Sequence, residues 1–324
     1  MIVDGAPRPG TVGALSHWPG TPTPVELWHD LSAGIVLRAL ARPGSLPSGV
    51  DVVSIDHYDV DGVIALGLLC VEGLAEEHGV LLVEAARVGD FDVVTDRKAA
   101  LVAFALGSLG GVDGAASMLE VSVPGDVVDR TAWSATEALR VLPTLVEDPE
   151  RYRALWSDEA DAYDASCRAL AEGWASIEER PEHDLAIVRV DISHRDALGA
   201  AWEGAPLHRA AVHSNTGLLR VATIAGDRVE LRYRYESWVR LQDRRPRRRV
   251  DLSAVASELT RSEAGGGAWV FDGAGAITGA LHLDDRTVST LDPEDVVDLL
   301  CKRLQILDAG PAAWDPYAMP TRPG

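Results

Sequence analysis

From Ala14 onward, short apolar runs alternate with stretches of helical periodicity. Asp51-Val52-Val53-Ser54-Ile55 is short, β-branched and preceded by Pro47-Ser48-Gly49, a pattern that predicts a buried strand. Residues 63–74 are apolar on nearly every side, as in a buried helix packed on a sheet. Further helices are expected near 80–88 and 97–109. A strand, a polar loop and a buried helix form the βα unit of a parallel α/β sheet. After Asp148-Pro149, apolar positions from Tyr152 to Ile177 recur at spacings of three and four. They predict one long helix ending near Arg180-Pro181, with Asp148 as N-cap and Pro149 in the first turn.

Past that helix, residues 184–190 read as a strand. Residues 218–224, a Gly226-Asp227 turn and residues 229–241 read as a β-hairpin. In the second hairpin strand Val229, Leu231, Tyr233 and Tyr235 share one face, and Arg228, Arg232 and Arg234 the other. A helix is expected over 251–260, a Gly-rich strand up to Leu283, and a last helix over 293–307. The predicted architecture is therefore α/β, with an N-terminal parallel-sheet domain (1–147) and a connector helix (148–182). A smaller C-terminal α/β domain (183–310) and an irregular tail (311–324) complete it.

Composition bounds the function. The 324 residues carry 50 Asp+Glu against 30 Lys+Arg, a net charge of −20, which disfavours a long duplex nucleic acid as partner. Residues 228–249, however, hold nine Arg against three acids, a net of +6, leaving −26 for the rest. A short phosphate ligand beside that basic stripe is compatible with both figures. Cys70, Cys167 and Cys301 are far apart and fit neither a metal spacing nor a disulfide framework, as expected in a reducing cytoplasm. The Pro/Gly-rich start lacks the pattern of a signal peptide, and no apolar run is long enough to span a membrane.

The sharpest local feature is His57-Tyr58-Asp59-Val60-Asp61-Gly62 at the end of the predicted strand. Side chains at i, i+2 and i+4 of an extended segment share a face, so an imidazole and two carboxylates can converge there. One nitrogen with oxygen ligands suits Mn²⁺ or Mg²⁺. His213, in a polar cluster before the hairpin, is a candidate proton donor. Ser16-His17-Trp18 and Trp28-His29-Asp30 bring further histidines and an acid that rank below the Asp59/Asp61 pair. Arg232 and Arg234 are candidate phosphate clamps, and the backbone N–H groups of Gly265, Gly266 and Gly267 a candidate anion cradle.

His57-Tyr58-Asp59-Val60-Asp61-Gly62, between an apolar strand and an apolar helix, resembles the first motif of the DHH phosphoesterase superfamily. The helix from Asp251 leading to Gly265-Gly266-Gly267 is similar to the substrate-binding domain of that family. The resemblance implies a two-domain, Mn²⁺-dependent enzyme that hydrolyses phosphodiesters or phosphoanhydrides in a cleft between its domains. It also implies a second metal-ligand aspartate, for which Asp90 is the expected residue and Asp92 or Asp96 the alternatives. A short single-stranded oligonucleotide or a cyclic dinucleotide would be a fitting substrate. The chain departs from the family pattern in having no Asp-His-His triplet. Ala268-Trp269 also follow the glycines where the family has a histidine. The alternative expectation is a relative that has kept the fold and binds a nucleotide or a protein without catalysis.

Overall fold

The computed structural model describes residues 1–18, 20–111, 119, 122–123, 125, 127–194, 206–235, 249–272, 279–284, 289–310 and 313–314. It is a mixed α/β structure that divides into two compact units, with the boundary after Asp161.

The first unit is mainly helical among the described residues. Two short strands, β1 (Ile2–Val3) and β2 (Ala14–Leu15), pair in parallel. The expected strand over 51–55 contributes one parallel bridge, Ser54 to Ile2. Its neighbours are only two residues long, and Val52 is 69% exposed, so this segment is not the buried strand that its β-branched composition predicts. Four helices follow: α1 (Ser32–Leu40), α2 (Val60–Cys70), α3 (Leu74–Phe91) and α4 (Arg97–Gly110). α5 (Val127–Glu147) comes next.

α2 is buried from Val60 through Leu68, as its all-round apolar sequence requires. It packs among α1, α3 and α5 rather than on a broad sheet. Asp59 caps α2 by accepting the Gly62 N–H at 2.7 Å, and Asp96 caps α4 through the Ala99 N–H at 2.8 Å. Val71 to Gly73, with Gly73 at φ +80, separates α2 from α3 where the apolar pattern alone runs on. Ile35, Ile64, Leu82, Leu106, Leu142 and Leu145 form the fully buried centre.

The predicted connector helix is shorter than its periodicity implies. A 3₁₀ turn over Pro149–Tyr152 leads into α6 (Arg153–Glu172), which ends before Gly173 at φ +78. Ile177 lies instead in β3 (Ala175–Arg180), the edge strand of the second unit. That sheet adds β4 (Leu185–Val190), and α7 (Arg209–His213) leads to β5 (Arg220–Ala225) and β6 (Arg228–Tyr233). β7 (Arg249–Val250) and α8 (Ser253–Ser262) follow, then β8 (Trp269–Asp272) and β9 (Ala280–Leu283). α9 (Pro293–Leu307) and β10 (Ala313–Trp314), which pairs with β7, are the last described elements.

The six-stranded order is β3-β4-β5-β6-β9-β8, antiparallel except for the parallel β4/β5 pair. β5 and β6 form the hairpin expected around Gly226-Asp227. α8 and α9 pack on one apolar cluster through Val255, Leu259, Val297 and Leu300. Ala169, Leu207 and Val212 belong to a second cluster with Val188 and Val221.

Candidate metal centre

Acids and imidazoles reach one region of the first unit from five places: the end of β1 (Asp4), the segment after β2 (His17), the segment leading into α2 (His57 and Asp59), the first turn of α2 (Asp61) and the last turn of α3 (Asp90). The N-terminus of α1 adds hydroxyl and backbone N–H donors. Asp4, directly after β1, is 0% exposed and sits in the left-handed region at φ 58. An aspartate tolerates that conformation better than most residues, but its use at a buried carboxylate marks a constrained position. Asp4 Oδ1 accepts the Ser32 hydroxyl at 2.9 Å and the Trp18 indole N–H at 3.1 Å. Its Oδ2 is buried and has no hydrogen-bond partner.

His17 is turned toward the same place by the chain around it. Its backbone N–H donates to the Ser32 hydroxyl at 3.2 Å, and its Nδ1 lies 2.6 Å from the Asp30 carbonyl. With Nδ1–H given to that carbonyl, Nε2 is the nitrogen that faces the acids. It lies 3.4 Å from Asp4 Oδ1, 3.7 Å from Asp90 Oδ2 and 4.0 Å from Asp61 Oδ2. Asp61, 0% exposed, accepts the backbone N–H groups of Ser32 (2.6 Å) and Ala33 (2.8 Å). Its charge therefore rests on the positive end of α1. Asp90 reaches the cluster because α3 packs tightly on the start of α2: a Cβ at Gly89 would lie 2.5 Å from Val60 Cβ.

A second group adjoins the first. His57 Nε2 lies 2.9 Å from Asp59 Oδ2 and 3.9 Å from Asp4 Oδ2, while Nδ1 is 2.6 Å from Asp56 Oδ1. The donor atoms of Asp4, His17 and Asp61 lie within 4.8 Å of one another, and so do those of Asp4, His57 and Asp59. Asp4 belongs to both sets. Around a small divalent cation with bonds of about 2.1 Å, neighbouring donors stand about 3 Å apart and opposite ones about 4.2 Å. The Nε2 separations of His17 and His57 from Asp4, Asp59, Asp61 and Asp90, 2.9–4.0 Å, match that interval, and the orphaned Asp4 Oδ2 is an acceptor that a cation would satisfy. The residues present therefore fit one or two such ions. Glu77, His78 and Glu147 also approach one another, but with two exposed members, where acidic groupings are common without an ion.

The electrostatics carry the strain of crowding these acids. Burial, with the charges of Asp4 and Asp59 adding to it, pushes Asp61 up to about 7 despite His17. Burial likewise raises Asp90 well above the ordinary carboxylate range, and raises Asp59. Burial would also raise Asp4, but the His17 and Ser32 hydrogen bonds and the charges of both histidines outweigh it and hold Asp4 low. Burial opposes charge on His17, yet its Asp4 contact and the Asp90 and Asp61 charges raise it to about 10. His57 is raised to about 10 chiefly by its contact with Asp59. A cation held among these groups would have to displace such protons.

Of the ligands expected from sequence, His57, Asp59, Asp61 and Asp90 thus lie in one region of the first unit. Asp92 and Asp96 have other places, at the C-terminal end of α3 and as the cap of α4. Asp4 carries no signal of its own beyond an Asp-Gly after two apolar residues, and it escapes a reading based on local motifs. His17 ranks low in sequence because its role depends on contacts with Asp30, Ser32 and Asp4 that no local spacing encodes.

The expected substrate-binding residues fare differently. His213 ends α7 in the second unit, where its carbonyl accepts a long 3.5 Å bond from Arg234, and it is not part of the first unit's cluster. Arg234 is 9% exposed and its guanidinium donates to the Thr216 carbonyl, so it is held by the protein rather than offered as a phosphate clamp. Arg232 is exposed but faces Glu230 at 2.5 Å. Gly265 and Gly266 are exposed and Gly267 is buried. Beside them Glu263 accepts from Trp269, Ser289 and Thr290. Those hydrogen bonds outweigh burial and hold Glu263 down at about 2, so a fixed negative charge adjoins the anion cradle expected from sequence. Most of the basic stripe, 236–248, lies outside the described residues.

Gly62 tests how closely the cluster is built. A Cβ there would lie 2.9 Å from Asp59 Oδ1 and 3.2 Å from Asp4 Oδ2. We expect Gly62→Ala to lower Mn²⁺ affinity about tenfold or more while the helical signal persists, the scale of altered support around a ligand set. Calorimetric titration of the two proteins checks this.

The architecture is that of a mixed α/β protein with a His/carboxylate centre, buried at Asp4, His17 and Asp61 and half-buried at His57 and Asp59. A model for a family of unknown function, DUF6687, matches residues 1–293, and the chain belongs to that family. Among curated proteins and among solved structures, nothing matches the chain.

Proposed function

We propose that the protein is a divalent-metal-dependent hydrolase of small phosphodiesters or phosphoanhydrides, with Mn²⁺ as the ion and Mg²⁺ as the alternative. The observation that carries this reading is the pair of His/carboxylate groups sharing Asp4. Two imidazoles among the donors favour Mn²⁺ over Mg²⁺, which prefers oxygen alone. An ion held there would supply Lewis-acid activation of water and neutralise charge developing at phosphorus.

The chain's own residues would do the rest. Asp4, Asp59, Asp61 and Asp90 would hold the ion or ions, with His17 and His57 as nitrogen donors. The N–H groups at the start of α1 keep Asp61 oriented, and the Ser32 hydroxyl and Trp18 indole keep Asp4 oriented. Resemblance of the Asp59-Val60-Asp61-Gly62 segment to the DHH phosphoesterases supports phosphorus as the reacting centre. A short phosphate-bearing substrate in the cytoplasm remains part of the proposal. Among the described residues, no helix is long and apolar enough to cross a membrane.

The test is metal content of the purified protein, then hydrolysis of a model phosphodiester, short oligonucleotides, cyclic dinucleotides and pyrophosphate with Mn²⁺, Mg²⁺ or chelator. Turnover of at least one substrate should require Mn²⁺ or Mg²⁺ and fall to background in Asp61→Ala. Full metal-dependent turnover in Asp61→Ala would refute the assignment. Metal uptake absent and no turnover at all would instead favour the non-catalytic nucleotide- or protein-binding reading.

A further inference from the structure

Asp56 lies outside both His/carboxylate groups, yet both of its oxygens are engaged at their border. Oδ1 is 2.6 Å from His57 Nδ1, and Oδ2 accepts the Ala6 N–H at 3.1 Å. The chain between Asp4 and Ala6 lies so close to this carboxylate that a Cβ on Gly5 would fall 2.4 Å from Asp56 Cγ. Gly5 also has φ +116, a conformation that glycine adopts without penalty. One short loop thus places Asp4 in the cluster and clamps Asp56 against the outer edge of His57.

A neutral imidazole carries one N–H, and whichever nitrogen keeps it cannot ligate a cation. The Nδ1 of His57 faces Asp56, and an ionised carboxylate can only accept. Nε2 faces Asp59 Oδ2 and Asp4 Oδ2 at 2.9 and 3.9 Å. We infer that Asp56 is a positioning residue: it holds the proton of His57 on Nδ1 and presents Nε2 as the nitrogen donor between Asp4 and Asp59. This rests on the proposed metal reading of the cluster. His17 has the same arrangement with a backbone acceptor, its Nδ1 lying 2.6 Å from the Asp30 carbonyl. The two histidines therefore differ in one respect. A carbonyl partner is neutral and fixed, whereas a carboxylate partner is charged, makes the ring a stronger donor and can be removed by substitution.

The experiment compares the full-length protein with Asp56→Ala, Asp56→Asn and Gly5→Ala. Mn²⁺ affinity is measured by titration, and imidazole ¹⁵N shifts are read on Cd²⁺-loaded protein, since Cd²⁺ is diamagnetic. Asp56→Ala should weaken Mn²⁺ binding about 10–100-fold, the usual scale for a residue that supports a ligand. The shift pattern of an Nδ1-protonated, Nε2-bound His57 should be lost with it. Asp56→Asn, which keeps an acceptor oxygen for Nδ1–H, should recover most of the affinity and the shift pattern. Gly5→Ala presses on the same carboxylate from the other side and should weaken binding without replacing either residue of the pair.

A purely structural Asp56, securing only the turn at Ala6, would leave the His57 tautomer unchanged. Wild-type affinity and an unchanged shift pattern in Asp56→Ala, or in Gly5→Ala if the first does not fold, overturn the inference while the metal reading stands. A wild-type protein that takes up neither Mn²⁺ nor Cd²⁺ overturns both.

Discussion

Asp4→Asn should abolish tight Mn²⁺ binding, with affinity falling by more than about 100-fold, beyond the effect typical of residues that only support a ligand. The substitution is unusually clean. Asparagine tolerates the left-handed backbone at this position. Its Oδ1 can still accept from Ser32 and Trp18, so the bonds that locate the side chain survive. What changes is Oδ2, the buried oxygen without a partner, which becomes an amide N–H₂ with no lone pair to offer a cation. Because Asp4 belongs to both groups, this one replacement should empty both, whereas Asp59→Asn should weaken chiefly the His57 side. Titration with Mn²⁺ and circular dichroism on the same samples separate loss of binding from loss of fold. An Asp4→Asn protein that binds Mn²⁺ like the wild type would remove Asp4 from the ligand set.

The second large effect is a pH dependence that metal reverses. Asp61 titrates at about 7 in the folded chain against 3.8 ordinarily, so the folded state holds its proton longer than the unfolded state does. Stability therefore falls as pH rises from about 4 to about 7. His17 and His57, raised from 6.5 to about 10, act in the same direction at higher pH. Their stabilisation is complete below 6.5 and is lost as pH rises toward 10. Asp4, held low, acts oppositely but only on the acid side of 3.8.

In chelator, the melting temperature should thus decline steadily between pH 6 and 8.5. Over the same range Mn²⁺ has fewer protons to displace, so its stabilisation should grow. At an Mn²⁺ concentration 100 times its Kd the gain is about 2.7 kcal/mol. For a cooperative unit of about 160 residues, the size of the first unit, that is a rise of about 5–10 °C. A melting temperature in chelator that ignores pH, or a Mn²⁺ shift that shrinks as pH rises, would contradict the proton-for-cation exchange.

Local chemistry was legible in the sequence wherever a segment carries its own boundaries. Asp292-Pro293 starts α9, and the Gly226-Asp227 turn sets the β5/β6 hairpin, so both follow from short-range signals. The same holds for α2, whose apolar character on all sides survives as burial from Val60 to Leu68. The connector helix was overextended because apolar residues continue at helical spacing past Glu172. Gly173 and the pairing of β3 with β4 outweigh that periodicity. In the site, His57, Asp59 and Asp61 announce themselves by spacing. Asp4 and His17 do not, since they reach the cluster through pairing of β1, β2 and Ser54 and through hydrogen bonds to the start of α1. Arg234 illustrates the converse: alternation puts it on the polar face, but the Thr216 carbonyl draws its guanidinium into the interior.

The residue before α1 is Leu31, which has no side-chain oxygen to close the helix start. Asp61 performs that task from 29 and 28 positions further along the chain, through the amides of Ser32 and Ala33. The beginning of α1 is consequently wired to the charge state of the cluster. Whatever draws electron density from that carboxylate loosens its hold on two backbone amides, and the helix they open becomes a gauge of events at the site.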